Sequence, residues 1–256
     1  MLKKLVLGIP GLFGKQNLGF LFKSFSLFSR NFAYFAHYLQ FKYDWKVPPQ
    51  PEWFDHFCDQ FYQFRKNKNP LWAERGVFGL LAIKQGADVL ELCCGDGFNS
   101  YQYYSIRANK IIAVDFDVDA IPHAKRYNQA PNVEFRLCDI RYNMPEGKFD
   151  NITWDAAIEH FTPAEIDKLM TDFKLRLKPA GVISGYTIVE NNTGEKQLSH
   201  HEYEFKNKED LKRFFEPHFK NVVVFETIYP GRHNLYFYAS DSIIPFSQGW
   251  DGMTAS

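Results

Sequence analysis

The chain has 256 residues, with 30 Lys and Arg against 30 Asp and Glu, so its formal charge is zero. That balance gives no overall pull toward nucleic acid or anionic surfaces, and the length allows one large domain, or one domain with an appendage. Aromatic residues make up 18% of the chain and concentrate ahead of residue 80. The four cysteines, Cys58, Cys93, Cys94 and Cys138, contain no C-x-x-C pair. They suit reduced thiols of a cytoplasmic protein better than a disulfide frame or a zinc site.

Residues 1–70 predict a helical cap or lid segment. From Met1 to Tyr43 the chain carries Lys3, Lys4, Lys15, Lys23, Arg30 and Lys42 and no acid. Leu5 to Phe13 is interrupted by Gly8, Pro10 and Gly11, so no apolar run reaches the roughly 18–20 residues a spanning helix needs. No small-residue cleavage site follows to make it a signal peptide. Phe20 to Leu39 places Phe and Leu at three- and four-residue spacings, which predicts helices that cap the main domain. The same basic, aromatic pattern also suits peripheral contact with a membrane surface. Pro48, Pro49 and Pro51 then make a stiff break, and Phe54, Phe57, Phe61 and Phe64 follow helical spacing.

A helix is predicted over Leu71 to Ile83, carrying Trp72, Glu74 and Arg75. Next comes DVLELCCGDGFNS, Asp88 to Ser100. Its first half is the apolar run of a strand buried on both faces, and it breaks at Gly95-Asp96-Gly97 into a helix start. A strand that ends in a glycine turn and feeds a helix is a ligand-binding device, because the helix N-terminus offers N–H groups. The dinucleotide pattern G-x-G-x-x-G is incomplete, with Ser100 at its third position. Glu91 also sets a negative charge where a pyrophosphate would lie.

Strand and helix continue to alternate. Lys110 to Asp115 predicts a second buried strand, with Phe116 beside its terminal acid and Asp117 as N-cap of a helix running to Tyr127. Val133 to Cys138 predicts a third strand, followed by Asp139-Ile140. Phe149 to Trp154 predicts a fourth, followed by Asp155, Glu159 and His160. Thr162-Pro163-Ala164-Glu165 is a capping box opening a helix to Leu177. Gly181 fits a left-handed cap at that helix's exit, before a fifth strand from Val182 to Ile188. A polar insertion spans Asn191 to His201. The runs Phe219 to Tyr229 and His233 to Ser240, joined through Pro230-Gly231-Arg232, predict a closing hairpin. Residues 242–256 look irregular.

Glu91 followed by Gly95-x-Gly97 resembles the E/D-x-x-x-G-x-G motif of the class I S-adenosylmethionine-dependent methyltransferases. Glu91, Asp115 and Asp139 recur every 24 residues near the ends of successive strands, which strengthens that resemblance over residues 71–241. It implies a Rossmann-like, doubly wound α/β sheet of seven strands with the last antiparallel, and S-adenosyl-L-methionine as cofactor, with S-adenosyl-L-homocysteine as product. The residues it implies for cofactor binding are Arg75, Glu91, Cys93, Gly95, Gly97, Asp115, Phe116, Asp139, Ile140 and Asp155. Arg75 would hold the methionine carboxylate, Asp115 the ribose hydroxyls, and Asp139 and Ile140 the adenine. Pairing of Arg75 with Glu74 or another acid is the competing expectation.

DNA and protein amide N-methyltransferases carry N/D-P-P-Y/F/W after the fourth strand, and this chain does not. Glu159-His160 is similar instead to small-molecule O- and C-methylating members, with His160 as general base. Those members that use a metal place an acid where this chain has Ala156, and H-H-x-Y spacing alone does not make a site, so no metal is expected. Trp72, His201, Tyr203, Arg232 and His233 are the expected substrate contacts. The implied activity is methyl transfer to a small molecule, a hydroxyl of a sugar, lipid or quinone-like acceptor. A nicotinamide oxidoreductase on the same sheet and a cofactor-binding module without chemistry are the alternatives.

Overall fold

The computed structural model describes residues 15–44, 64–65, 68–190 and 200–250. Phe54, Phe57 and Phe61, and the insertion from Asn191 up to residue 199, lie outside the described residues. The chain divides into two compact units, Met1–Asn67 and Lys68–Ser256. In the first, α1 (Lys15–Asp44) is a single helix of 30 residues. Leu21, Phe25, Phe28, Phe32 and Phe35 recur at alternating spacings of four and three, which sets them on one helical face, and all five are exposed. Among the described residues no helix is long and apolar enough to cross a membrane.

The second unit opens with α2 (Leu71–Ala82) and β1 (Asp88–Leu92). Then follow α3 (Phe98–Gln102), β2 (Lys110–Asp115), α4 (Ala120–Tyr127), β3 (Val133–Leu137) and α5 (Ile140–Asn143). After them come β4 (Phe149–Asp155), α6 (Pro163–Arg176), β5 (Leu177–Ile188), α7 (Lys208–Lys212), β6 (Asn221–Tyr229) and β7 (Arg232–Ser240). The seven strands form one sheet in the order β3-β2-β1-β4-β5-β7-β6. The first five pair in parallel, while β7 pairs antiparallel with both β5 and β6. β7 follows β6 in sequence but inserts between it and β5, which brings the start of β7 to the C-terminal end of β5: Ile188 faces Asn234.

Alternation along the strands splits the core into two layers. Leu90, Leu92, Ile112, Val114, Ile152 and Trp154 pack with Ile166, Met170 and Phe173 of α6 and with Phe215 and Phe237. Val89, Ile111 and Ala113 pack with Ile83, Tyr104, Ala124 and Phe135. A sheet covered on both faces exposes its ligand crevice only at the strand ends.

The capping box forms as its sequence predicts: Thr162 accepts from the Glu165 N–H, and the Glu165 carboxylate accepts from the Thr162 N–H at 2.9 Å. Asp117 caps α4 as expected: its carboxylate accepts from the N–H groups of Asp119 (2.7 Å) and Ala120 (3.2 Å), whereas Asp119, directly ahead of Ala120, makes no side-chain cap bond. One local expectation is corrected. Gly181 is not in the left-handed region; α6 ends on Leu177 in extended conformation and runs straight into β5. Leu177 pairs with Phe149 and Val182 with Asn151, so Lys178 to Gly181 bulge out of the ladder. Glycine is required at 181 by close approach, because a Cβ there would lie 3.0 Å from the Lys178 carbonyl and 3.1 Å from that of Phe149. The tail after residue 241 also contributes to packing: Ile244 is buried against Ala82, Val182 and Tyr238.

Candidate active site

The site grows from the turn between β1 and α3. Cys93, Gly95 and Gly97 all have positive φ, at 54°, 53° and 75°. Glycine takes that conformation without penalty; Cys93, with its Cβ, stores strain of about 1–2 kcal/mol. Such strain concentrates at ligand-binding turns. A Cβ on Gly95 would meet nothing within 4 Å, so the turn presents bare backbone to open space there. A Cβ on Gly97 would lie 2.5 Å from the Phe135 ring, so that glycine lets the turn pack down on the sheet.

Asp115, at the end of the neighbouring strand β2, fastens this turn. Its Oδ2 accepts from the Gly95 N–H at 2.8 Å and its Oδ1 from the Asp117 N–H at 2.9 Å. Burial pushes its carboxyl up, while those N–H donors pull it back down. Asp96 accepts from the Phe98 N–H at 3.0 Å, and the Asn128 amide donates to the Asp96 carbonyl at 2.7 Å.

Glu91 is 3% exposed and accepts a hydrogen bond from Ser100 Oγ of α3. Burial pushes its carboxyl up to about 8, and the neighbouring Asp155, Asp96 and Asp115 add to the rise against the Ser100 bond. A protonated carboxyl among other acids is a site prepared for a cation. Asp155, at the end of β4, accepts from Arg75 Nε at 3.0 Å, from Arg75 Nη2, and from Asn99 Nδ2 at 2.9 Å. The Arg75 guanidinium lies 4.6 Å from the centroids of both the Trp72 and the Tyr186 rings. Arg75 therefore pairs with Asp155, not Glu74. Glu74 takes hydrogen bonds from Thr227, Tyr229 and Tyr236 on the outer strands.

On the other side of β2, Phe116 is 63% exposed and lines a cavity of about 480 Å³ together with Leu137, Cys138 and Asp139. Asp139 accepts from the Arg141 N–H at 3.0 Å at the start of α5, and its ion pair with the Arg141 guanidinium holds its carboxyl below the usual range. Ile140, just after it, is buried in the core.

Beyond β4, Ile158–His160 form a single 3-10 turn. Glu159 is buried, and its carboxylate accepts from Thr187 Oγ1 at 2.9 Å; burial pushes it up. Its carbonyl accepts from the N–H groups of Glu202 (2.8 Å) and Tyr203 (3.1 Å), which clamps the 200–203 segment against the end of β4. His160, His200 and His201 meet there as a ring cluster.

The expected residues thus fall into groups. Arg75, Glu91, Cys93, Gly95, Gly97, Asp115 and Asp155 surround the turn; Phe116 and Asp139 line the cavity, while the Ile140 side chain is buried in the core; Glu159, His160, His201 and Tyr203 stand beyond β4. Trp72 is buried against Arg75, and Arg232 donates to the Tyr186 hydroxyl at 2.7 Å. His233 bonds to Glu226 across the β6–β7 hairpin at 2.8 Å, and the Tyr203 hydroxyl donates to Asp210 at 2.8 Å. Asn99 and Tyr186 carried no signal in the sequence, and Ser100 was legible only as a missing glycine.

A methyltransferase-domain family model matches residues 89–181. The uncharacterized methyltransferase sll0829 of Synechocystis sp. is 30% identical over 105 residues, 41% of this chain and 48% of that protein. A ribosomal protein L11 methyltransferase of Thermosipho melanesiensis is 31% identical over 103 residues, 40% of this chain and 38% of that protein. The chain matches less than half the length of either. Among solved structures, a DhpI complex with S-adenosylhomocysteine superposes with a TM-score of 0.55 at 19% identity, covering 78% of this chain and 95% of that one. The N-methyltransferase NodS of Bradyrhizobium japonicum gives a TM-score of 0.55 at 14% identity, covering 69% and 99%. With the strand order, the glycine turn and the family match in agreement, this chain carries a methyltransferase domain of the class I, S-adenosylmethionine-dependent fold.

Proposed function

We propose that the protein is an S-adenosylmethionine-dependent methyltransferase that acts on a hydroxyl of a small molecule, a sugar, lipid or quinone-like acceptor. The observation that carries this reading is the set of acids Glu91, Asp115 and Asp139 at the ends of three adjacent parallel strands, around a bare glycine turn and beside a cavity of about 480 Å³. The residues suit the cofactor chemically. Glu91 and its acidic neighbours suit an ammonium group, and Arg75 can extend a guanidinium N–H to a carboxylate while it stays on Asp155. Asp115 retains acceptor capacity for ribose hydroxyls, and Phe116 offers a face to a purine.

The cofactor, when bound, supplies a methyl group on a sulfonium that is already a good leaving group. The chain's own work is then to orient the two reactants and to keep water out. His160 stands past the end of β4 with its ring half-exposed, in position to accept a proton from a hydroxyl. Glu159 holds that turn in place from beneath. Lack of the amide-methylating motif and the imidazole-rich rim support a hydroxyl acceptor.

For α1 the favoured role remains a cap, and its exposed Phe face with Lys23 and Arg30 on another side supports peripheral contact with an anionic membrane as a second role. The main reading is tested by calorimetric titration with S-adenosylhomocysteine, NAD and NADP, with Asp115→Ala as control. Micromolar binding of S-adenosylhomocysteine, lost in the variant, is expected. Binding of a nicotinamide cofactor instead, or of none of the three, overturns it.

A further inference from the structure

Three imidazoles converge beyond the end of β4, one of them, His160, 40 residues ahead of the adjacent pair His200 and His201 in sequence. His160, His200 and His201 each contribute a ring nitrogen, and the three atoms lie within 4.8 Å of one another. The His160 and His200 rings are stacked, 4.8 Å apart with 16° between planes, and the His201 ring stands edge-on to both, at 5.1 and 5.6 Å. The convergence is built into the backbone, because the Glu159 carbonyl receives the N–H groups of Glu202 and Tyr203.

We propose that His160, His200 and His201 bind a divalent transition ion of the zinc class. Imidazole nitrogen selects zinc, cobalt, nickel or copper, whereas magnesium and calcium take oxygen ligands. Tetrahedral zinc with nitrogen at about 2.0–2.1 Å needs ligand atoms about 3.4 Å apart, so the cluster closes by roughly an ångström on loading. His200 is exposed and can supply that movement, while His201, 1% exposed, is the fixed post.

The surroundings fix the tautomers of two of the rings. His201 Nδ1 lies 2.5 Å from Glu204 Oε1, a carboxylate–imidazole contact that sets Nδ1 as the donor and puts the lone pair on Nε2. His160 Nδ1 faces the His200 carbonyl at 3.3 Å, which sets the same tautomer. Glu204 also supplies negative charge next to the ion. Three protein nitrogens leave a fourth position, and an acceptor oxygen entering there would be polarised. With the ion in place His160 serves as a ligand and no longer as a base. The proposal stands on the imidazole geometry alone, so it holds or fails separately from the cofactor reading.

The test uses the full chain made without a polyhistidine tag, stripped with a chelator, and titrated calorimetrically with zinc and magnesium chloride. Cobalt(II) is added in parallel as a spectroscopic probe. Expected are one equivalent of zinc bound, no response to magnesium, and a visible cobalt spectrum typical of tetrahedral nitrogen ligation. Glu204→Gln should weaken zinc by about 10–100-fold. His160→Ala and His200→Ala should weaken it further, and His218→Ala should leave it unchanged. Exposed His200 can be replaced without disturbing the core, so its variant keeps the test valid if His201→Ala does not fold. Absence of saturable zinc binding overturns the proposal. So does a sulfur-to-cobalt band, which would assign the metal to cysteines, or a His200→Ala protein that binds zinc as the parent does.

Discussion

Arg75 and Asp155, 80 residues apart in sequence, form an ion pair at the junction of α2 and β4, with Nε to Oδ2 at 3.0 Å and both side chains at least nine-tenths buried. The pair joins the segment ahead of the glycine turn to the end of β4. The rings of Trp72 and Tyr186 enclose the guanidinium. Replacing Asp155 by Ala strands that charge, and the expected loss is about 3–5 kcal/mol of unfolding free energy, measured by denaturant titration. The double variant Arg75→Met/Asp155→Leu should recover most of the loss and still bind S-adenosylhomocysteine poorly. A single variant as stable as the parent would remove the pair from the account.

Glu91 links stability to pH. Its carboxyl is held up at about 8 against an ordinary 4.5, because burial and the nearby Asp155, Asp96 and Asp115 outweigh the Ser100 hydrogen bond. The folded protein therefore holds a proton that the unfolded chain releases. The contribution is fully present below the unfolded value and is lost as pH rises through the folded one. Between about 4.5 and about 8 the parent should lose stability relative to Glu91→Gln, read as melting temperature against pH.

The same carboxyl should report ligand binding. If an ammonium group arrives beside it, Glu91 ionises and a proton leaves the protein. At neutral pH the heat of S-adenosylhomocysteine binding should then depend on the ionisation enthalpy of the buffer. In Glu91→Gln that dependence should fall away. Equal buffer dependence in both proteins would show that Glu91 does not meet the ammonium.

The two turn glycines should fail differently. Gly97→Ala drives a Cβ to 2.5 Å from the Phe135 ring and 3.1 Å from Ala124 Cβ, in a left-handed backbone. Overpacking alone costs about 1–3 kcal/mol, so this variant should melt well below the parent. Gly95→Ala carries only the backbone penalty of about 1–2 kcal/mol, since its Cβ meets nothing within 4 Å. It should fold and yet lose cofactor affinity, as calorimetry would read.

Sedimentation with anionic liposomes checks α1. Its face of Leu21, Phe25, Phe28, Phe32 and Phe35, with Lys23 and Arg30 on another side, should carry the protein down with the vesicles. Deletion of residues 1–43 should abolish this, and high salt should weaken it. Unchanged sedimentation on deletion would sink the membrane role.

The sequence by itself determined the alternation of strands and helices, because a strand buried on both faces reads as a short, largely apolar run. Ile111 to Val114 is such a run, and so is Val89 to Leu92 apart from Glu91. It also determined the glycine turn, the acids near the C-terminal ends of β1, β2 and β3, and the capping box at Thr162, since each depends on residues a few positions apart. The cap at Asp117 was legible in the same way, since its carboxylate meets the N–H groups two and three residues on. Local rules failed where a glycine had two readings. Gly181 looked like a helix exit, but helix and strand join directly and crowding explains the glycine.

Only the tertiary structure decided the partners. Whether Arg75 met Glu74 or Asp155 depended on where β4 falls in the sheet, because a guanidinium can reach any acid that the fold brings within its length. Ser100 became a donor to Glu91 through the turn that folds α3 back over β1. His160 and His201 met because the Glu159 carbonyl fastened the returning chain. Local propensity extends over a few residues, whereas sheet order and register set which distant side chains share the crevice.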